Sequence, residues 1–373
     1  MSALFLAALL PVALLAQTPT WSDLMQSAKQ MYLQGKYDEA VKQLQSALVE
    51  AERAPEDGDR LIATLQQLAA VYRTTGAYNK AIPLLGEIVD LRKRANGEAS
   101  AEFADALIDL ASANRASGNA KGAMLLFQQA STLRHTLLGS MSPELAKDWT
   151  NMALCWVDMQ DFDSAAALYE SALRLVDNAY GSDSPLVLPT LDALGHVYMM
   201  NNRYSEAEPH LRRALTIRER TAGPESAELI STLDSLAYAY FGLQRYTGSE
   251  VLYNRLLKIW EANAGPDHPM VALTLDKMVE LLMAEEKFNE AECLAERAVR
   301  IRTMHLGNGY AREGILFAKE DKPEIAAKHF NRAIELDPDS DFALKGYFLV
   351  LKRLHREREA AAVQQKLKAK QQN

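Results

Sequence analysis

The 373-residue chain is 48% apolar and 24% charged, a balance that excludes a disordered or fibrous chain and leaves enough apolar surface for a packed interior. Its formal charge of -8 excludes broad electrostatic attachment to nucleic acid or an anionic membrane, which requires a basic surface. Two cysteines, Cys155 and Cys293, are too few for a disulfide-stapled scaffold.

The chain opens on an apolar run from Ala3 to Ala16 followed by a polar, proline-containing stretch. That pattern predicts a secretory signal over residues 1–16, cleaved after Ala16, and an exported product in a bacterial periplasm or outside the cell. The run has no Lys or Arg before it, and Leu14 stands three residues back from the cut. An apolar N-terminal helix is the alternative. The run is shorter than the roughly 20 residues of a spanning helix.

Beyond it the chain repeats. Glycines stand at Gly97, Gly139, Gly181, Gly223, Gly265 and Gly307, each 42 residues after the last. A second mark recurs at the same spacing, at Ala81, Ala123, Ala165, Ala207, Ser249 and Ala291. Within one period the apolar residues follow helical spacing twice. Leu191, Leu194, Gly195 and Tyr198 form the stripe of a first helix, and Ala207, Leu211, Ala214 and Leu215 that of a second. Each unit is therefore predicted to be a helical hairpin.

The turn inside each hairpin has its own signature. A slot suited to left-handed backbone holds Gly35, Gly76, Gly118 and Asn202, with Gln160, Gln244 and Glu286 in other units. Three residues later Asp38, Asn79, Asp163, Ser205, Thr247 and Asn289 are predicted to cap the second helix. Ser205 with Glu208, Thr247 with Glu250 and Asn289 with Glu292 have capping-box spacing or close to it. Pro83 and Pro209 then fall in a first helical turn, where a missing N–H matters least.

Small and large residues at these offsets resemble the tetratricopeptide repeat, with Leu191, Leu194, Gly195, Tyr198, Ala207, Leu211 and Ala214 in its consensus positions. The 42-residue unit, with "YSEAEPHLRRALTIRE" and the "GPDHP" linker of Gly265 to Pro269, is similar to the longer form of kinesin light chains. The segment "FAKEDKPEIAAKHFNRAIELDP", ending on Pro338, resembles the ordinary 34-residue form. Ala120 and Ser249 depart from the pattern. The resemblance implies an all-α, right-handed superhelical solenoid of about eight repeats over 17–338. A weak ninth repeat around Leu344, Tyr347, Leu351 and Ala360 and a capping helix would fill 339–373. Contacts in such a stack stay local, so Cys155 and Cys293 are expected to lie too far apart to pair.

Chemistry is sparse. No Gly-rich phosphate loop, Cys-x-x-Cys pair or His-Glu-x-x-His stretch is present, and the seven histidines are scattered. No nucleophile, base and orienter can be assembled, so the chain is expected to be non-catalytic and to carry no cofactor.

The informative residues lie one place after the core stripe of each first helix, on a face that the resemblance implies is concave and binds extended or helical peptides. Successive units place there Asp192, His196 and Met199, then Asp234, Tyr238 and Phe241, then Asp276, Glu280 and Met283. Earlier units place Gln66, Ala70 and Arg73, then Ile108, Ser112 and Arg115, then Thr150, Leu154 and Val157. A column of aspartates beside Met and Phe predicts a protein or peptide partner of basic or amphipathic character. The same aspartates also suit plain solvated helix positions. Asp192 and His196, one turn apart, are spaced to share a metal ion with Asp234, so a small-ligand or metal receptor is an alternative, as is a regulatory subunit of a partner enzyme. From Lys345 to the end eight Lys/Arg meet two Asp/Glu, a local +6 that leaves -14 elsewhere. This tail predicts an exposed capping helix rather than a nucleic-acid site.

Overall fold

A computed structural model describes residues 19–53 and 58–370, so the segment 1–16 expected to be a signal lies outside the described residues. Among these the secondary structure is helical, without strands, and the described residues divide into two compact units that part between Ser182 and Asp183.

In the first unit α1 (Trp21–Leu33) pairs with α2 (Tyr37–Glu52), α3 (Gly58–Thr74) with α4 (Tyr78–Asn96), α5 (Ala101–Ala116) with α6 (Ala120–Leu138), and α7 (Glu144–Asp158) with α8 (Phe162–Tyr180). In the second, α9 (Leu188–Met200) pairs with α10 (Tyr204–Ala222) and α11 (Ile230–Gly242) with α12 (Tyr246–Ala264). There follow α13 (Pro269–Ala284), α14 (Phe288–Lys319), α15 (Pro323–Leu336), α16 (Asp341–Arg353) and α17 (Glu357–Lys370). Within each unit every helix packs on the next in sequence, so each unit is held by a series of small clusters rather than one centre. One such cluster joins Ile62, Leu65, Ala69, Leu85 and Ile88 of α3 and α4 to Ala106 and Ala113 of α5.

The hairpin turns behave as their composition predicts. Gly35, Gly76 and Gly118 have positive φ, and so do Gln160, Asn202, Gln244 and Glu286 in the same slot. Asp321 and His355 adopt it at the two C-terminal turns. At Asn202 the chain reverses through paired bonds: its N–H donates to the Met199 carbonyl at 3.0 Å, and the Arg203 N–H to that of Tyr198 at 2.8 Å. This is the Schellman arrangement, which satisfies the last carbonyls of α9.

The capping residues sit elsewhere than predicted. Because the reversal takes only one residue after the left-handed slot, the second helices begin at Tyr37, Tyr78, Phe162, Tyr204, Tyr246 and Phe288. Asp38, Asn79, Asp163, Ser205, Thr247 and Asn289 are thus already inside the first turn. The N-cap positions are Lys36, Ala77, Asn119, Asp161, Arg203, Arg245 and Lys287, and of these only Asn119 and Asp161 accept a first-turn N–H. No capping box forms at Ser205, whose hydroxyl donates to Glu206, while Glu208 pairs with Arg245.

Gly307 also departs from its period. Gly97, Gly139, Gly181, Gly223 and Gly265 end their helices with positive φ, but α14 runs through Gly307 without a break for 32 residues. The linkers after Gly181, Gly223 and Gly265 supply Ser184, Ser226 and His268 as helix caps, whereas Asn308, Gly309 and Tyr310 supply neither cap nor proline. Glycine inside a helix costs about 1 kcal/mol, offset here by close packing: a Cβ on Gly307 would stand 3.1 Å from the Ala333 carbonyl oxygen of α15. Phe330 of α15 is wedged between Gly314 of α14 and Gly346 of α16 in the same way.

Ser249, which departs from the repeat pattern, is fully buried and donates to the Ala237 carbonyl at 2.8 Å. Its hydroxyl therefore meets a partner rather than being stranded in the core. Cys155 is buried and Cys293 exposed, and both are free thiols. Burial pushes the Cys155 thiol up to about 11, which leaves it protonated and inert near neutrality.

Candidate functional site

The first helices of the second unit, α9, α11 and α13, carry all nine candidate residues. His196, Tyr238, Glu280 and Met283 are exposed, and Asp192, Met199, Asp234, Phe241 and Asp276 are half-buried. The i, i+4, i+7 spacing along each helix keeps each trio on one side of its helix.

The aspartates do not form a free acidic column. Arg218 of α10 grips Asp192 with both guanidinium arms, at 2.8 and 2.5 Å, and also donates to Thr232 of α11. Its side chain is only 13% exposed, and bonding to Asp192 holds its guanidinium above the usual range despite the burial. Lys277 of α13 reaches back to both carboxylate oxygens of Asp234, at 2.5 and 2.7 Å. Arg302 of α14 pairs with Asp276. Each carboxylate thus has a cation of this chain, contributed by a helix that follows its own, and the pairs tie successive helices together. Only Glu280 among the candidate acids has no hydrogen bond or ion pair within the described residues.

What the face presents instead is aromatic. Tyr204, at the start of α10, meets Tyr238 edge-on at 6.0 Å between ring centroids; Tyr238 lies 6.4 Å from Phe241, and Phe241 5.9 Å from Tyr246 at the start of α12. Gly242 makes room for this, since a Cβ there would stand 2.5 Å from the Tyr204 ring. Met283 and Phe288 occupy the positions equivalent to Phe241 and Tyr246 one period on and are 55% and 61% exposed. Tyr204, Tyr246 and Phe288 belong to this row although they were not among the predicted residues. Their signal was the aromatic at the turn, which repeats at 42 residues and reads as a packing residue.

Asp192, His196 and Asp234 do not converge on an ion, because both carboxylates are turned to cations of the chain. Among the described residues no group of three or more His, Cys, Asp or Glu is placed to hold a metal. In the first unit the equivalent face is different in chemistry: Arg73 pairs with Asp109 and Arg115 with Asp158. A depression of about 430 Å³ lies there among Ala70, Arg73, Thr74, Tyr78, Ser112 and Ala116.

Hairpins stacked in sequence order, each closed by a left-handed turn, define a helical repeat protein. The tetratricopeptide-repeat family profile matches residues 24–94, 145–220 and 228–304, more than half of the chain, and the protein belongs to that family. It is similar in fold to BtubC (BKLC) from P. vanneervenii, at 22% identity over 61% of this chain and 91% of that one, with a TM-score of 0.50. A Podosopora anserina protein of nearly identical TPR-like repeats, named for kinesin light chain, matches at 21% identity over 56% of this chain and 99% of its own, with a TM-score of 0.51. The STAND ATPase with a tetratricopeptide repeat sensor from Pyrococcus horikoshii matches at 14% identity over 83% of this chain and 44% of its own, with a TM-score of 0.58. A comparison with curated proteins found no match. The family is built of protein-interaction repeats and is generally non-catalytic.

Proposed function

We propose that this protein is a non-catalytic scaffold that binds a peptide or partner protein on the face formed by α9, α11 and α13. The observation that carries this reading is the aromatic row from Tyr204 to Tyr246, continued by exposed Met283 and Phe288. Large aromatic and thioether groups give anchoring area at low entropic cost and concentrate binding energy in a few residues. The occupant that suits them is an amphipathic segment with apolar side chains at helical or strand spacing. Because Asp192, Asp234 and Asp276 already hold Arg218, Lys277 and Arg302 respectively, Glu280 is the one candidate acid left for a cation of the partner. Attraction to a basic partner is therefore secondary to apolar anchoring.

The apolar run from Ala3 to Ala16 supports export of this scaffold, with its partner in the compartment outside the cytoplasm. Affinity capture from that compartment with the full-length precursor's processed form tests both points. The expected result is one or a few proteins retained by the wild type and lost with Tyr238→Ala and Met283→Ala together. Retention of the same proteins at the same yield refutes the assignment of the face, and a product found in the cytoplasm with residues 1–16 intact refutes export.

A further inference from the structure

A second surface, on α6 of the first unit, departs from the repeat in a way that the binding face does not use. In the second unit an arginine clamps each of two second helices, α12 and α14, to the linker before it. Arg255 of α12 pairs with Glu219 and donates to the Pro224 carbonyl. Arg297 of α14 pairs with Glu261 at 2.6 Å and donates to the Pro266 carbonyl at 3.2 Å. The equivalent position on α6 is Gln129, and the equivalent of the glutamate is Lys93. The clamp is therefore absent: Lys93 turns to Glu98 at 2.5 Å instead, and the side-chain amide of Gln129 bonds nothing among the described residues.

The missing guanidinium leaves a crevice of about 750 Å³, lined by Phe103 and Leu107, by Leu125, Gln129, Thr132 and Leu133 of α6, and by Lys93 and Glu98, whose charges offset one another in their ion pair. At Arg255 the matching crevice is about 400 Å³. Leu125 is 63% exposed, and the outward face of α6 through Leu125, Gln128, Gln129, Thr132 and Thr136 carries no charge over more than three turns. In a chain of net charge -8 with one residue in four charged, such a face is exceptional. It is also self-complementary. At a two-fold contact each residue near the axis meets its own copy, so charged side chains repel, whereas leucine packs on leucine and an amide both donates to and accepts from its twin.

We propose that the crevice and neutral face of α6 are the contact through which two copies of this chain associate. With α6 antiparallel to its counterpart and the axis near Gln129 and Thr132, helical register brings Leu125 of each copy to the Thr136 end of the other's crevice. The 19-residue helix offers a contact about 28 Å long, and insertion of Leu125 adds depth to it. This contact uses none of the residues of the face proposed on the second unit.

The test is sedimentation of the full processed chain over a wide concentration range, alone and as Gln129→Arg and Leu125→Lys. Gln129→Arg installs the residue that the second unit carries at the equivalent position, so the fold accommodates it, and circular dichroism confirms this for both variants. The wild type is expected to dimerise, and each variant to weaken the dimer about a hundredfold or more, as an unpaired charge in a closed contact does. In a Cys293→Ser background, Gln129→Cys is expected to form a covalent dimer on oxidation. A wild type that stays monomeric throughout, including one whose α6 face captures a different protein, overturns the proposal. So does a dimer that both charged variants leave unchanged.

Discussion

Arg134 and Asp148 offer the sharpest test of how the first unit is held together. Asp148 of α7 stands in a slot that holds Thr64, Thr190, Thr232 and Thr274 in other hairpins, all of them buried. Its side chain is 1% exposed, one carboxylate oxygen accepts from Arg134 of α6 at 2.6 Å, and the other has no partner. Arg134 also pairs with the exposed Asp105. Arg134→Met removes the only cation that faces this buried carboxylate among the described residues, and breaking such a pair from one side costs about 3–5 kcal/mol. Asp148→Thr instead removes the buried charge together with its orphan oxygen and leaves Arg134 with Asp105. The bond lost and the desolvation relieved are each about 1–3 kcal/mol, so the net cost is about 1 kcal/mol or less. Burial raises the Asp148 carboxyl above its ordinary value of 3.8, outweighing the pull of Arg134 in the other direction. The folded chain therefore holds that proton more readily than the unfolded chain, and this group's contribution to stability grows as pH falls from neutral toward the ordinary carboxylate range. Without Arg134 the rise is larger, so the penalty of Arg134→Met should shrink on acidification. Urea unfolding followed by circular dichroism, near neutrality and again near the carboxylate range, measures both quantities. Equal costs for the two variants, or a cost of Arg134→Met that does not change with pH, would refute the reasoning.

Other consequences are equally open to measurement. Gln244→Gly relieves a side chain held at φ 58°; the strain is about 1–2 kcal/mol, partly offset by the freer unfolded chain, so a net gain of about 0.5–1 kcal/mol is expected in the same urea assay. Gly346→Ala places a Cβ 2.3 Å from the ring of Phe330, which is 1% exposed and has no room to retreat; a loss of about 1–3 kcal/mol is expected from overpacking. Asp192→Ala strips Arg218 of its main partner while its side chain stays largely buried. A stability loss of about 1–3 kcal/mol is expected there, with less effect on partner affinity than Tyr238→Ala.

Much of the fold was legible because its signals are repeated. The left-handed slot at the hairpin turn is a local backbone requirement, so Gly35 or Asn202 announces it, and six further copies remove the ambiguity of Gln160 or Glu286. The caps were misplaced by two residues because Asp38 or Ser205 is as suitable in a first turn as at its start, where acidic groups still favour the helix dipole. The continuous α14 escaped because Gly307 keeps the period while the linker after it loses its cap, so the absence decides rather than the glycine. The candidate face was legible as a set of positions but not in its chemistry. The 42-residue spacing reveals that Asp192, Asp234 and Asp276 are stacked, whereas Arg218 and Arg302 stand 26 residues after their aspartates and Lys277 43 after Asp234, and which cation reaches which carboxylate depends on how neighbouring helices pack. The crevice at Gln129 was likewise invisible until Arg255 and Arg297 showed what normally fills it.

The central claim is that apolar anchoring on α9, α11 and α13 holds the partner. It is tested most directly by titrating the captured partner into the wild type, Tyr238→Ala with Met283→Ala, and Glu280→Gln, by calorimetry at low and high salt. Apolar anchoring predicts a loss of about 30-fold or more for the aromatic and methionine pair, a small loss for Glu280→Gln, and weak dependence on salt. An affinity that survives the double truncation but collapses with salt or with Glu280→Gln would contradict it.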